Sequence, residues 1–290
     1  MTTATPHLDA LQRDGFVVVR NLLTPTEVAH YRTIATQATA LARTGTWPHF
    51  RTHLLHPSMP GRDAFAACYF SPSILAVAEE LMGVTSLSPA SEPLVLELFN
   101  LLVAPETRDF ELRWHRDDIP ETVAGDEELA LLAAKAPGGR QSHCQYNLAL
   151  CEDMSLVVVP GSHARARTET ERAADPYQPE LPDQLVVKLE PGDAVFYNSN
   201  ILHRGVYRAK EAGAEESRLT LHGSIGLKGE EGEGEAEKKK VRATAVLQHG
   251  VGAWVHRDDA AFGLGERAER MRANLVAMGT GEGVGFSLQG

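Results

Sequence analysis

Residues 110–118 read Phe110-Glu111-Leu112-Arg113-Trp114-His115-Arg116-Asp117-Asp118. In an extended strand, residues two apart point to the same side. His115 and Asp117 therefore offer an imidazole nitrogen and a carboxylate oxygen to one metal ion. His203 supplies a second nitrogen from a distant stretch, after the turn Pro191-Gly192-Asp193 and the run Ala194-Val195-Phe196-Tyr197. Two nitrogens and one oxygen on one face leave coordination positions open, the donor set of non-haem Fe(II) oxygenases. Arg218 stands a short strand beyond His203. Its guanidinium fork suits a bidentate pair with a carboxylate, as a dicarboxylate cosubstrate would need.

Strand patterns spread outward from this stretch, over residues 93–104, 110–115, 144–150, 155–160, 184–190, 194–199 and 218–226. Turn signals separate them: Pro137-Gly138-Gly139, Pro160-Gly161-Ser162 and Pro191-Gly192-Asp193. Many short strands at modest spacing predict a mainly β protein with flanking helices, here a jelly roll. The reading is one domain, 1–290, with a helical N-terminal part over 1–92 and the jelly-roll core over 93–226. In the first part, 15–20 (GFVVVR) reads as a strand, and Thr24-Pro25-Thr26-Glu27 is a capping box. The helix it opens carries Val28, Tyr31, Ile34, Ala35, Ala38 and Leu41 as a core stripe. Ser71-Pro72 opens another helix, stopped by Gly83.

Residues 126–136 read as a helix inside an insertion, 119–143, that follows the metal motif and is expected to act as a lid over it. Residues 228–240 (KGEEGEGEAEKKK) are charged and low in complexity, and predict a solvated mobile loop. The C-terminal extension, 241–290, includes an amphipathic helix at 265–279 with Met271, Leu275 and Met278.

A lone His-x-Asp is weak evidence, and the chain has a second at His256-Arg257-Asp258. That one comes after all the strands, with no later histidine to complete a site. His163, in the turn Pro160-Gly161-Ser162-His163, and His222, in an alternating strand, read as structural. Thr220 faces the side of its strand that Arg218 faces, and its hydroxyl can add a hydrogen bond to the same cosubstrate. Gln145 and Asn147 share one side of their strand. Amides buried in an apolar barrel need partners, so both are candidate cosubstrate or substrate contacts. Asn100 is a weaker candidate of the same kind.

The 290 residues are 43% hydrophobic and 23% charged, an ordinary globular composition. A formal net charge of -11 argues against nucleic acid or an anionic membrane as partner and leaves a small-molecule substrate. Cys68, Cys144 and Cys151 form no CxxC pair, which fits a reducing compartment. With no signal pattern and no apolar run of about 18 residues, the expected location is the cytoplasm. Monomer and homodimer stay equally open.

Taken together, GFVVVRNLLTPTEV near the start, WHRDD, the VVVPGSH turn and the PGD…NILHRG segment resemble the phytanoyl-CoA dioxygenase-like family. The resemblance runs in order over residues 10 to 226. It implies a double-stranded β-helix, Fe(II), 2-oxoglutarate and O2. His115, Asp117 and His203 then take the places of the iron ligands, and Arg218 that of the arginine holding the distal carboxylate of 2-oxoglutarate. Two departures stand out. The stretch AKEAGAEE lengthens the path from His203 to Arg218, and CEDMS (151–155) replaces a Glu-Asn-Gly stretch. Arg113 or Leu112 stands where a polar residue near the cosubstrate is usual. Halogenating relatives replace the ligand carboxylate by a small residue, so Asp117 favours hydroxylation, desaturation or a related oxidation. The alternative is a cupin-type metal- or ligand-binding protein without turnover or with other chemistry. Acyl-CoA as substrate has no independent support, since no basic cluster suits the CoA phosphates.

Overall fold

The structure is a computed structural model describing residues 5–44, 53–84, 92–135, 141, 143–209, 218–228 and 233–280. Its nine strands among the described residues are β1 (Phe16–Val19), β2 (Leu94–Val103), β3 (Phe110–Glu111), β4 (His143–Ala149), β5 (Leu156–Val159), β6 (Leu185–Val186), β7 (Ala194–Tyr197), β8 (Leu202–Tyr207) and β9 (Leu219–Leu227). They form a five-stranded sheet, β1-β7-β4-β9-β2, and a four-stranded sheet, β3-β8-β5-β6, with every pairing antiparallel. This is the jelly-roll, double-stranded β-helix architecture.

Side-chain alternation divides core from cavity. On β9, Leu219, Leu221 and Ile225 enter the main core, while His222 and Ser224 line a cavity. On β4, Cys144, Tyr146 and Leu148 enter the core, and Gln145 and Asn147 face the cavity. The register sets Asn147 opposite His222 and Gln145 opposite Ser224, so one sheet face is polar. A register shift in β2 between Leu96 and Phe99 lets both enter the core although they are three apart. The extra residue resets the alternation and turns Asn100 and Leu102 to the cavity.

Six helices contribute to the core behind the larger sheet: α1 (Pro6–Asp14), α2 (Pro25–Arg43), α3 (Arg62–Tyr69), α4 (Pro72–Met82), α7 (Glu233–Gln248) and α8 (Glu266–Met278). Each fully buried Leu, Ile or Phe there contributes about 1.5–3 kcal/mol. The Thr24–Glu27 capping box closes both ways at the start of α2. The apolar stripe of that helix stops short of Leu41, which is 40% exposed. Gly83 ends α4 in the left-handed region, φ +68. No single helix among the described residues is long and apolar enough to cross a membrane.

Several elements differ from the sequence expectations. Residues 233–240, expected to be a mobile loop, form the first half of α7 (Glu233–Gln248). Glu, Ala and Lys are strong helix formers, and the second half buries Ala243, Ala245 and Val246. Residues 229–232 lie outside the described ones, as do the insert 210–217 and the turn Pro137-Gly138-Gly139. The segment 110–115 is a strand only at Phe110–Glu111, and His115 joins β8 through an isolated bridge. Strand β8 was not expected. The helix α5 (Gly125–Lys135) is present in the insertion, yet it is tied down rather than loose. Glu128 is wholly buried and paired with Arg116, Arg167 and Arg172.

Candidate metal centre

His115 and His203 are directly opposite one another and exchange both backbone hydrogen bonds, at 3.0 and 3.1 Å. Sheet geometry therefore sets their spacing. One step beyond, the Asp117 amide donates to the Ser199 carbonyl at 2.9 Å, which holds the carboxylate beside the two rings. Each histidine Nδ1 faces a carbonyl: Arg113 O at 2.7 Å for His115 and Ile201 O at 2.8 Å for His203. A carbonyl only accepts, so Nδ1 carries the proton and Nε2 keeps its lone pair for a metal. His115 Nε2 is 3.4 Å and His203 Nε2 3.6 Å from Asp117 Oδ1. All three donor atoms lie within 4.8 Å of one another, the sole such cluster among the described residues. His163 and His222 stand outside it, and so does the exposed His256.

Electrostatics suit a cation. Burial raises the Asp117 carboxyl, but the His203 and His115 imidazoles outweigh it and hold the group well below the usual carboxylate range. Burial, then His115, pulls His203 down to about 4. An ionised carboxylate and a neutral imidazole at neutral pH are the forms that ligate metal. Gln145 Nε2 donates to Asp117 Oδ2 at 3.0 Å, which leaves Oδ1 toward the histidines. The amide that lacked a visible partner in the sequence thus finds it in the Asp117 carboxylate. Asn147 Oδ1 accepts from His222 Nδ1 at 2.8 Å.

The cluster lies on the wall of a cavity of about 610 Å³ that Asn100, Gln145, Asn147, Tyr197, Tyr207 and His222 also line. Arg218 sits behind that wall. Its Nε is 2.9 Å from Asp153 Oδ2, an ion pair not aligned as a hydrogen bond, and all three of its nitrogens are buried without a hydrogen-bond partner among the described residues. Thr220 donates to Asp153 rather than facing the cavity, which occupies the hydroxyl expected at a cosubstrate. Arg113, the other candidate beside the cosubstrate, lines the cavity but is half-exposed, with Glu121 at 3.5 Å.

Two groups escaped the sequence reading. Arg116, between the two motif ligands, has a fully buried side chain. It donates to Glu128 Oε1 at 3.0 Å, to the Ser162 carbonyl at 2.9 Å, to the Arg165 carbonyl at 3.0 Å and to the Asn200 carbonyl. It thereby fastens the metal motif to α5, to the Pro160–His163 turn and to the stretch before His203. Burial pulls this guanidinium down to about 10, with Glu128 opposing. Asp118 accepts from Ser199 Oγ at 3.0 Å and Asn200 Nδ2 at 3.1 Å, a second tie between the same segments. Neither residue belongs to a spacing rule, and long-range partners left no local trace.

The donor set, and the Arg218 guanidinium whose nitrogens make no hydrogen bond among the described residues, fit a divalent iron and a dicarboxylate. The family model described as phytanoyl-CoA dioxygenase (PhyH) matches residues 11–206. No curated protein sequence matches. Among solved structures, the chain is similar to SnoN, the non-haem α-ketoglutarate-dependent epimerase from nogalamycin biosynthesis. The TM-score is 0.52 and the identity 19%, over 77% of this chain and 80% of that one. EctD from S. alaskensis, with 2-oxoglutarate and 5-hydroxyectoine, gives 0.52 and 17% over 78% and 77%. HygX from Streptomyces hygroscopicus, with nickel, 2-oxoglutarate and hygromycin B, gives 0.52 and 16% over 78% and 88%. At such identities these structures speak for the fold. The family match, which takes in the metal motif and His203, goes further: the chain belongs to the phytanoyl-CoA dioxygenase family, enzymes that depend on Fe(II), 2-oxoglutarate and O2.

Proposed function

We propose that this enzyme hydroxylates a small polar molecule, with His115, Asp117 and His203 as its iron ligands and the Arg218 end of the cavity receiving the distal carboxylate of 2-oxoglutarate. The observation that carries this is the convergence of the three donor atoms within 4.8 Å on the wall of one cavity. When bound, iron and cosubstrate supply an oxidation coupled to release of succinate and CO2. The protein supplies position. The two Nδ1–H bonds to carbonyls fix the ring planes. Gln145 fixes the Asp117 carboxylate. Leu98, Leu102, Leu112 and Trp114 limit water on one part of the wall, and Asn100, His222 and Ser224 offer hydrogen bonds on another. That mixture supports a polar organic substrate, as does the likeness to structures holding hygromycin B and 5-hydroxyectoine. Retention of a carboxylate at 117 supports hydroxylation over halogenation. A cytoplasmic location remains part of the proposal.

Anaerobic addition of Fe(II) and 2-oxoglutarate to the purified protein should give the weak visible charge-transfer band of a chelated cosubstrate. A screen of small polar compounds, scored by succinate release and product mass, should then find one that gains a single oxygen. Absence of the band at saturating Fe(II) and 2-oxoglutarate would refute the site assignment. A product that gains no oxygen would refute hydroxylation alone.

A further inference from the structure

On β8, His203, Gly205 and Tyr207 alternate onto the cavity wall. Gly205 leaves a gap there. A Cβ on it would stand 2.3 Å from Tyr207 Oη and 2.5 Å from Cζ, closer than real atoms approach. The Tyr207 ring therefore folds back along its own strand toward His203 and fills the space a side chain at 205 would take. Phe110, its partner on β3, stacks against the ring at 5.8 Å between centroids. The Arg218 guanidinium carbon lies 4.8 Å from the ring centroid on Tyr207. Arg218 is absent from the cavity wall, whereas Tyr207 is on it. Among the described residues, Tyr207 Oη makes no hydrogen bond, and the Arg218 nitrogens make none either. A donor hydroxyl on the cavity wall and a guanidinium with hydrogen-bonding capacity to spare thus stand one behind the other. Burial raises the phenol's pKa further, with Arg218 opposing, so the hydroxyl keeps its proton and remains a donor at neutral pH.

We propose that Tyr207 is a second cosubstrate-binding residue, its hydroxyl donating to the distal carboxylate of 2-oxoglutarate while Arg218 supplies positive charge from beyond the ring. The proposal rests on the reading that this cavity takes 2-oxoglutarate between the iron ligands and Arg218. Thr220, spent on Asp153, leaves that hydroxyl role open. Gly205 is the residue that makes room for Tyr207 to take it.

Tyr207→Phe keeps the ring, its stack on Arg218 and its fit over Gly205, and removes only the hydroxyl. The test is calorimetric titration of the nickel-loaded protein with 2-oxoglutarate and, separately, with 2-oxopentanoate, which lacks the distal carboxylate. Loss of one hydrogen bond to a charged group should weaken 2-oxoglutarate about ten- to a hundredfold. Binding of 2-oxopentanoate should stay within about twofold, since no group at position 207 would then meet a charge. Gly205→Ala, which must push the ring end aside, should lose 2-oxoglutarate affinity as well, with nickel still bound. Wild-type affinity for 2-oxoglutarate in either variant would overturn the proposal, and so would an equal loss for both ligands in Tyr207→Phe. Failure of the wild-type protein itself to bind 2-oxoglutarate would instead bring down the cosubstrate site as a whole.

Discussion

Glu128→Gln is the sharpest perturbation the structure offers outside the metal ligands. Glu128 and Arg116 have fully buried side chains 3.0 Å apart. Glu128 also accepts from the Arg167 amide at 2.9 Å and pairs with Arg172, with the Arg167 guanidinium at 3.6 Å. One carboxylate therefore faces three arginines, and glutamine preserves its shape while removing the negative charge they share. Removing one partner from a buried pair costs about 3–5 kcal/mol, because the remaining charge stays desolvated. Against a total stability of about 5–15 kcal/mol, that is a large fraction. The loss need not be global, since α5 can detach locally and cap the cost. Urea unfolding gives the global part, and hydrogen exchange over residues 125–135 gives the local part. The expectation is a fall of several kcal/mol, or exchange protection in α5 reduced by a comparable free energy. Iron affinity should fall with it, since Arg116 is the anchor of the segment bearing His115 and Asp117. In the wild-type protein, α5 should be equally protected with and without 2-oxoglutarate. A variant within about 1 kcal/mol of wild type, with α5 exchange unchanged, would refute the clamp; its cost would lie below the range for a broken buried pair.

Other outcomes can be checked independently. His115→Ala or His203→Ala should abolish stoichiometric iron binding by metal analysis, while His256→Ala should leave it intact. Arg218→Ala should weaken 2-oxoglutarate in direct titration, since it removes the positive charge that stands behind the Tyr207 ring. Arg242→Ala strands Glu97, which is 3% exposed and held by two bonds of 2.7 and 2.6 Å, so it should cost about 3–5 kcal/mol in urea. Burial pulls His53 down to about 4, so the folded form holds it neutral while the unfolded chain protonates it near 6.5. The unfolded state binds more protons between those values, and stability is lost as pH falls from about 6.5 toward 4, by up to about 1.4 kcal/mol per unit. His53→Leu should flatten that slope in denaturation curves taken between pH 7 and 5.

What could be read from the chain alone followed the range of the interaction. The strands around Val95, Tyr146 and Phe196 announce themselves because each is apolar enough locally. β8 does not, since Leu202-His203-Arg204-Gly205 breaks alternation and is held by β5 and by the bridge to His115. The start of α7 reads as solvated, because its charges dominate until Ala243 and Val246 begin to pack. His115 and Asp117 were visible as a pair because a strand puts them on one side. Gln145 was visible only as an amide in need, and Thr220 only as a neighbour of Arg218. Their partners, Asp117 and Asp153, lie 28 and 67 residues away. Arg116 looked like filler between two ligands, and its role exists only after α5 has folded onto it.

The ladder between His115 and His203 has a bearing on how such a chain can diversify. It ties off everything between residues 115 and 203 as one excursion from a closed pair. Closure entropy grows only with the logarithm of loop length, so even doubling that excursion costs about 0.6 kcal/mol. Surface loops within it that touch neither the Glu128 cluster nor the strands can therefore be lengthened at small thermodynamic expense to the two-histidine pair. The part of the cavity wall that meets a substrate and the part that meets the metal are, in that sense, inherited separately. New substrate range can arise by rewriting such loops while the oxidising centre, with Asp117 and Gln145 held in place, stays put.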